Sequence, residues 1–310
     1  MRREIAVGIA ATIVFYLSAM FIPLAGFVAG IFTSLPTLLA FYRWGSPIGY
    51  WIPGGVALLG SALLVYLNMV QSIPFLLEML FLGLFLGTGM RLQWSPERTI
   101  ATAALLVFST GVMSLWLFAP ASEGGLLAEM ERDLKDAATT AVRELGGQIE
   151  DKQGFEQALL QIVPALVRLF PGMALACALA VAWLNVVVTA RFCRIHHISL
   201  PPWPEWSLWK SPEPLVWGLI GSGFLFLFAD GFLKLIASNA LVVLGLIYFL
   251  HGLAIVNFYA DKWRLPRLAR AFIYVVLFLQ QFATLVTALM GLFDMWMDFR
   301  RLTRKPNEED

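Results

Sequence analysis

Apolar residues run along the chain in nine long blocks: 5–21, 24–42, 50–69, 73–90, 100–119, 159–190, 213–232, 235–259 and 268–296. A membrane-crossing helix needs about 20 such residues. The pattern therefore predicts an all-α polytopic transmembrane bundle of about eight or nine spans. Most breaks are marked by proline or glycine, as at Gly45-Ser46-Pro47, Ser95-Pro96, Pro120 and Leu265-Pro266. Two blocks are ambiguous. Only Ile22-Pro23 parts the first from the second, and the last, at 29 residues, is too short for two crossings.

Between the fifth and sixth blocks lies the one sizeable aqueous insert, 121–158. It carries nine acidic and four basic side chains. Within it Leu127, Met130, Leu134, Ala138, Ala141 and Leu145 recur at three- and four-residue spacing, which draws one apolar face on a helix ended by Gly146-Gly147. Such a helix is either an interfacial element or a lid on the outer side. Its negative charge argues against tight contact with anionic lipid.

Lys and Arg alternate with the blocks. Arg2 and Arg3, Arg43, Arg91 and Arg98, then Arg191, Arg194 and Lys210, and finally Lys262, Arg264, Arg267 and Arg270 all fall on one side. The positive-inside rule makes that side the cytoplasm and places the N-terminus there. Nine spans would put Arg300, Arg301, Arg304 and Lys305 on the opposite side, against the rule. The stretch Leu200–Trp217 holds five prolines and four tryptophans on the cytoplasmic face. Proline stiffens it, and tryptophan suits a membrane interface.

Composition agrees with this picture. The chain is 59% hydrophobic and 14% charged, against about 25% charged in soluble domains. A net charge of +1 gives no attraction to nucleic acid. No Walker, C-x-x-C or H-E-x-x-H run occurs, so no cofactor or metal is expected. Cys177 and Cys193, about 24 Å apart on a helix, read as packing residues. The start, Met1-Arg2-Arg3-Glu4, imitates a signal peptide, but the apolar run outlasts an h-region and reads as an uncleaved first helix.

Few side chains could carry chemistry. Glu78 sits in an otherwise apolar span, where an ionised acid costs about 2.5–3.5 kcal/mol and so usually faces a cavity or partner. It lies only about 8 Å into its helix, so a protonated acid near the outer interface is the competing reading. Arg168 is flanked by Pro164 and Pro171 on one helix face. It forms either the mouth of an anion-binding cavity or a snorkelling group at the headgroups. Gly83 and Gly87, and Ala6 and Ala10, make small-x-x-x-small pairs that let helices dock closely. Asn185, Asn239, His251, Asn257, Gln280 and Gln281 read as interhelical hydrogen-bonders, with Asn239 a candidate cap. Asp294 and Asp298 share a helix face near a membrane boundary, where two carboxylates could bind a cation, but Asp298 with Arg300-Arg301 reads more easily as an ion pair at the helix end. No Ser/His/Asp or Cys/His set can be assembled from spacing, so no enzymatic centre is expected.

Three elements carry a family likeness. Leu200-Pro201-Pro202-Trp203-Pro204-Glu205-Trp206 with Pro214-Leu215-Val216-Trp217 resembles the proline–tryptophan loop of the YybS-like family of bacterial membrane proteins. The segment from Asn239 to His251-Gly252-Leu253 resembles its Asn and "Q/H-G-L" element. The ending Gly291-Leu292-Phe293-Asp294 to Arg300 is similar to its G-x-x-D…R pattern. The N-terminal half is in turn distantly similar to the substrate-capture (S) components of energy-coupling-factor transporters, six-helix bundles that bind one small molecule. That likeness implies residues 1–199 as a six-helix bundle, with 200–310 as the loop plus about three helices. It also implies that Ala6 and Ala10 dock a membrane coupling subunit. The expectation is a multi-pass protein of the bacterial cytoplasmic (inner) membrane that binds or helps transport a small solute. The alternative is a scaffold docking other proteins through the loop and the insert.

Overall fold

The computed structural model describes residues 2–22, 25–118, 125–144 and 152–301, and among them every regular element is a helix. These are α1 (Arg2–Phe21), α2 (Ala25–Ile31), α3 (Leu35–Trp44), α4 (Trp51–Tyr66), α5 (Ile73–Arg91), α6 (Pro96–Phe118), α7 (Gly125–Glu144), α8 (Lys152–Ile195), α9 (Pro214–Phe228), α10 (Gly231–Lys262), α11 (Arg267–Leu279) and α12 (Gln281–Met297). The expected Gly146-Gly147 stop, Leu145 and the tail charges Arg304 and Lys305 lie outside the described residues.

The fold class is the expected all-α polytopic bundle. Among the described residues six helices are long and apolar enough to cross a membrane: α1, α4 together with the helical turn before it (Ile48–Tyr66), α5, α6, α8 and α10. The pair α11–α12 passes that test jointly but bends by 101°. Three blocks differ from simple spans. Block 24–42 is broken at residues 32–34 into α2 and α3, α9 has only 15 residues, and block 268–296 is the bent pair. Outward-facing Val14, Leu58, Trp116, Phe224 and Phe228 are well exposed. Such surface is a liability in water but ordinary against lipid tails.

The chain divides into two compact units. The first comprises Met1–Val167 with Cys177–Trp203, the second Arg168–Ala176 with Pro204–Asp310. In the first, Tyr16, Ile52, Val56, Leu64, Leu76 and Leu80 form a buried core. Small residues set the helix spacing. A Cβ on Gly8 would strike Ile52, and one on Gly55 would strike Ile9 at 2.5 Å, so α1 and α4 meet on that face. Gly83 does the same between α5 and α3, where a Cβ would stand 2.5 Å from the Ser34 carbonyl. Asn185 of α8 donates to the Ile31 carbonyl at 2.8 Å, and the Tyr42 hydroxyl donates to the Ser199 carbonyl at 2.6 Å. At the loop, the Trp203 indole donates to the Trp94 carbonyl at 2.7 Å.

In the second unit α11 starts at the C-terminal end of α10 and the chain returns there. Arg270 near the start of α11 pairs with Asp261 and donates to the Ala260 carbonyl. Beyond α12, Tyr259 donates to the Phe299 carbonyl at 2.8 Å. Between these points the bend at Gln280 turns α12 across α10. The block expected as a ninth crossing is thus a pair bent by 101° whose two ends share one end of α10. The amphipathic insert forms α7, where Val142 is buried and Leu134 is exposed.

Candidate functional site

The densest polar chemistry lies in the second unit, where α10 and α12 cross. Glycine makes the approach close enough. A Cβ on Gly252 would collide with the Thr287 carbonyl, and one on Gly291 with the Tyr248 carbonyl and the Gly252 nitrogen. With backbones this near, His251 and Asp294 face each other with no exposed surface. Asp298 then ends α12 in the left-handed region, φ +40°, a conformation Asp tolerates better than most residues. That turn folds Arg300 back onto Asp294, six residues earlier.

The guanidinium is nearly fully used. Nη1 donates to the carbonyls of Ser207 (2.7 Å) and Trp209 (3.1 Å) in the proline–tryptophan loop. Nη2 lies 2.8 Å from Asp294 Oδ2 and 3.0 Å from His251 Nε2. Only Nε lacks a partner. A guanidinium can only donate, so His251 Nε2 must accept. The ring proton then sits on Nδ1 and is donated to Ser211 Oγ at 3.2 Å, a tautomer assigned from the network. The 3.2 Å approach of Nε2 to Asp294 Oδ2 is then a contact of two acceptors that share one guanidinium nitrogen. Asp294 Oδ1 accepts the Phe299 N–H at 2.8 Å. One buried cation balances one buried anion, the arrangement that makes such burial tolerable. Trp209 closes the site edge-on to His251 at 5.9 Å.

Two expectations are corrected here. Spacing assembled no Ser/His/Asp set, yet Ser211, His251 and Asp294 converge. In this tautomer Nδ1 donates to the serine and so does not take its proton. Ser211 is also only 4% exposed. The expected ion pair of Asp298 with Arg300-Arg301 is also replaced. Arg300 takes Asp294, and Asp298 takes Lys210 at 3.3 Å.

Asn239 does not cap a helix, since α10 begins eight residues earlier at Gly231. Its amide instead bridges a rung of α8: Oδ1 accepts the Gly172 N–H at 2.5 Å, and Nδ2 donates to the Arg168 carbonyl at 2.9 Å. This lies beside Pro171, which has no N–H to give. Gly172 is required there, since a Cβ would stand 2.7 Å from the Asn239 carbonyl. The Arg168 side chain is exposed. Asn257 accepts from Tyr274 at 3.3 Å.

In the first unit Glu78 is half-buried on α5, and its carboxylate faces Gly111 of α6, 3.4 Å from where a Cβ would stand. It makes no hydrogen bond or ion pair with the described residues of its unit. Gly83 and Gly87 are buried against α3, whereas Ala6 and Ala10 are exposed on α1. No group of three His, Cys, Asp or Glu among the described residues is placed to hold a metal. Cys177 and Cys193 are both free.

Apolar helices that bury a charge-balanced His–Asp–Arg centre at a glycine-lined crossing define a multi-pass α-helical membrane protein. Its family is equally plain: the chain belongs to the one described as "Predicted membrane protein (DUF2232)", whose model matches residues 10–295. No curated protein and no solved structure matched the chain.

Proposed function

We propose that the chain is a small-solute-binding, transport-related protein of a bacterial cytoplasmic membrane, with its N-terminus in the cytoplasm. Glu78 carries this reading. It is an acid inside an apolar span, without a partner in its unit, facing a glycine that leaves room beside the carboxylate. Acids so placed usually serve a ligand or proton path. In this proposal residues 1–199 act as an S-component-like bundle that takes the solute from the outer side. Arg168, exposed on α8 in the second unit, is a separate candidate contact for an anion. The exposed Ala6 and Ala10 dock a coupling subunit, and energy comes from that subunit or from an ion gradient. The likeness to the YybS-like family belongs to the same proposal.

The scaffold alternative has less support, because loop tryptophans are spent inward: Trp203 on the Trp94 carbonyl and Trp209 on His251. The test is thermal unfolding of the detergent-purified full chain against a broad metabolite panel. A stabilising compound whose effect is lost in Glu78→Gln supports the reading. A panel without any shift, or a shift unchanged in Glu78→Gln, counts against it.

A further inference from the structure

The break between α2 and α3 holds an unusual set of atoms. Thr33 Oγ1, Ser34 Oγ and Thr37 Oγ1 on the break, with Asn185 Oδ1 and Thr189 Oγ1 on α8, all lack a hydrogen-bond partner. All five residues are 0% exposed. Buried helical threonines ordinarily bond the carbonyl four residues back, as Thr12 does to Gly8 and Thr287 to Ala283 in this chain. The four hydroxyls forgo such a partner and Asn185 Oδ1 receives no donor, although solvent does not reach them. An unmade bond at a buried polar group is costly, so five on neighbouring turns call for an occupant.

The register brings them together. Asn185 of α8 is tied to Ile31 at the end of α2, and Tyr42 of α3 to Ser199 just past α8, so the two stretches run in the same sense. Thr189, one turn beyond Asn185, is therefore level with the stretch from Thr33 to Thr37. α5 closes a further side, with Gly83 against the Ser34 carbonyl and the Thr37 side chain.

Asn185 decides the sign of the ligand. Its Nδ2 donates to the carbonyls of Ile31 and Val181, both at 2.8 Å. That fixes the amide orientation and leaves Oδ1 as a bare acceptor. An anion would find few donors at the start of α3: the Leu35 N–H goes to the Phe32 carbonyl, and Pro36 has none. Neutral oxygens suit a hard monovalent cation. They do not suit Mg2+, which dehydrates reluctantly and usually takes carboxylates. Interrupted membrane helices supply such oxygen sets for Na+ in known transporter folds.

We propose that the α2–α3 break and the facing turn of α8 bind a monovalent cation of the Na+ class through Thr33, Ser34, Thr37, Asn185 and Thr189. The site is separate from Glu78, so either assignment stands or falls alone. The test is thermal unfolding of the full-length protein in detergent, titrated with NaCl against choline chloride at equal ionic strength. Wild type should show saturable stabilisation in NaCl only. Thr37→Val and Thr189→Val remove one oxygen each at nearly constant volume, and each should raise the half-saturating Na+ concentration about tenfold, equivalent to about 1.4 kcal/mol. Thr99→Val, which removes a buried unpartnered hydroxyl on α6 away from the break, should leave the response intact. Equal behaviour of wild type in NaCl and choline chloride overturns the proposal, as does an unchanged Na+ response in both valine variants.

Discussion

Arg300 is the residue on which the second unit turns. It neutralises Asp294, fixes the His251 tautomer and holds two loop carbonyls. Removing one partner of a buried pair leaves an uncompensated charge, at a cost of about 3–5 kcal/mol. Arg300→Met and Asp294→Leu should each lower stability by that order in detergent unfolding. The double variant should recover part of the loss, since an apolar pair leaves no buried charge. Strictly additive losses would show that the two groups act independently. His251 was legible as a polar group inside a span and Asp294 as a carboxylate near a membrane boundary, but their pairing was not. Residues 294 and 300 fall on different faces of a continuous helix. Only the left-handed turn at Asp298 joins them, and spacing arguments do not foresee it. Ser211 was equally hidden, because its contact depends on how the loop meets α10. The signal available was the order of three motifs: the Leu200–Trp217 stretch supplies Ser207, Trp209 and Ser211, His-Gly-Leu supplies His251, and Gly-x-x-Asp…Arg supplies Asp294 and Arg300.

Among the helices, glycines report where backbones meet. Gly252 and Gly291 lie at the α10–α12 crossing with backbone atoms in the way of any Cβ. Gly252→Ala and Gly291→Ala should each cost about 1–3 kcal/mol, because backbone rather than a flexible side chain must move. Gly221 of α9 and Gly245 of α10 have nothing within 4 Å of such a Cβ. Alanine there should be neutral or stabilise by about 0.5–1 kcal/mol through helix propensity. Comparing the four melting temperatures checks both statements, and equal effects would contradict them. The apolar blocks made most of the helices legible, because long runs have one economical structure in lipid. The breaks at 32–34 and at Gln280 were not legible. Each falls inside a long apolar block and is marked only by a polar pair, Thr33-Ser34 ahead of Pro36 and Gln280-Gln281, which an unbroken span also tolerates. Glu78 stood out early for the opposite reason, as a single charge in an apolar run.

At the level of the whole molecule, the path of α11–α12 removes the one conflict in the charge pattern. Both ends of the pair meet the C-terminal end of α10, so Arg300 and Arg301 join Lys262, Arg264, Arg267 and Arg270 on one side. A reporter fused after Asp310 should therefore read the same side as one inserted after Arg264, the side the positive-inside rule assigns to the cytoplasm. Opposite readings would restore a ninth crossing. The account rests most heavily on solute binding at Glu78. The direct measurement is native mass spectrometry of the protein and its Glu78→Gln variant, each released from native membrane particles. Wild type should retain a stoichiometric non-lipid small molecule that Glu78→Gln lacks. Absence of such a species from wild type, or equal retention by both, would contradict the account.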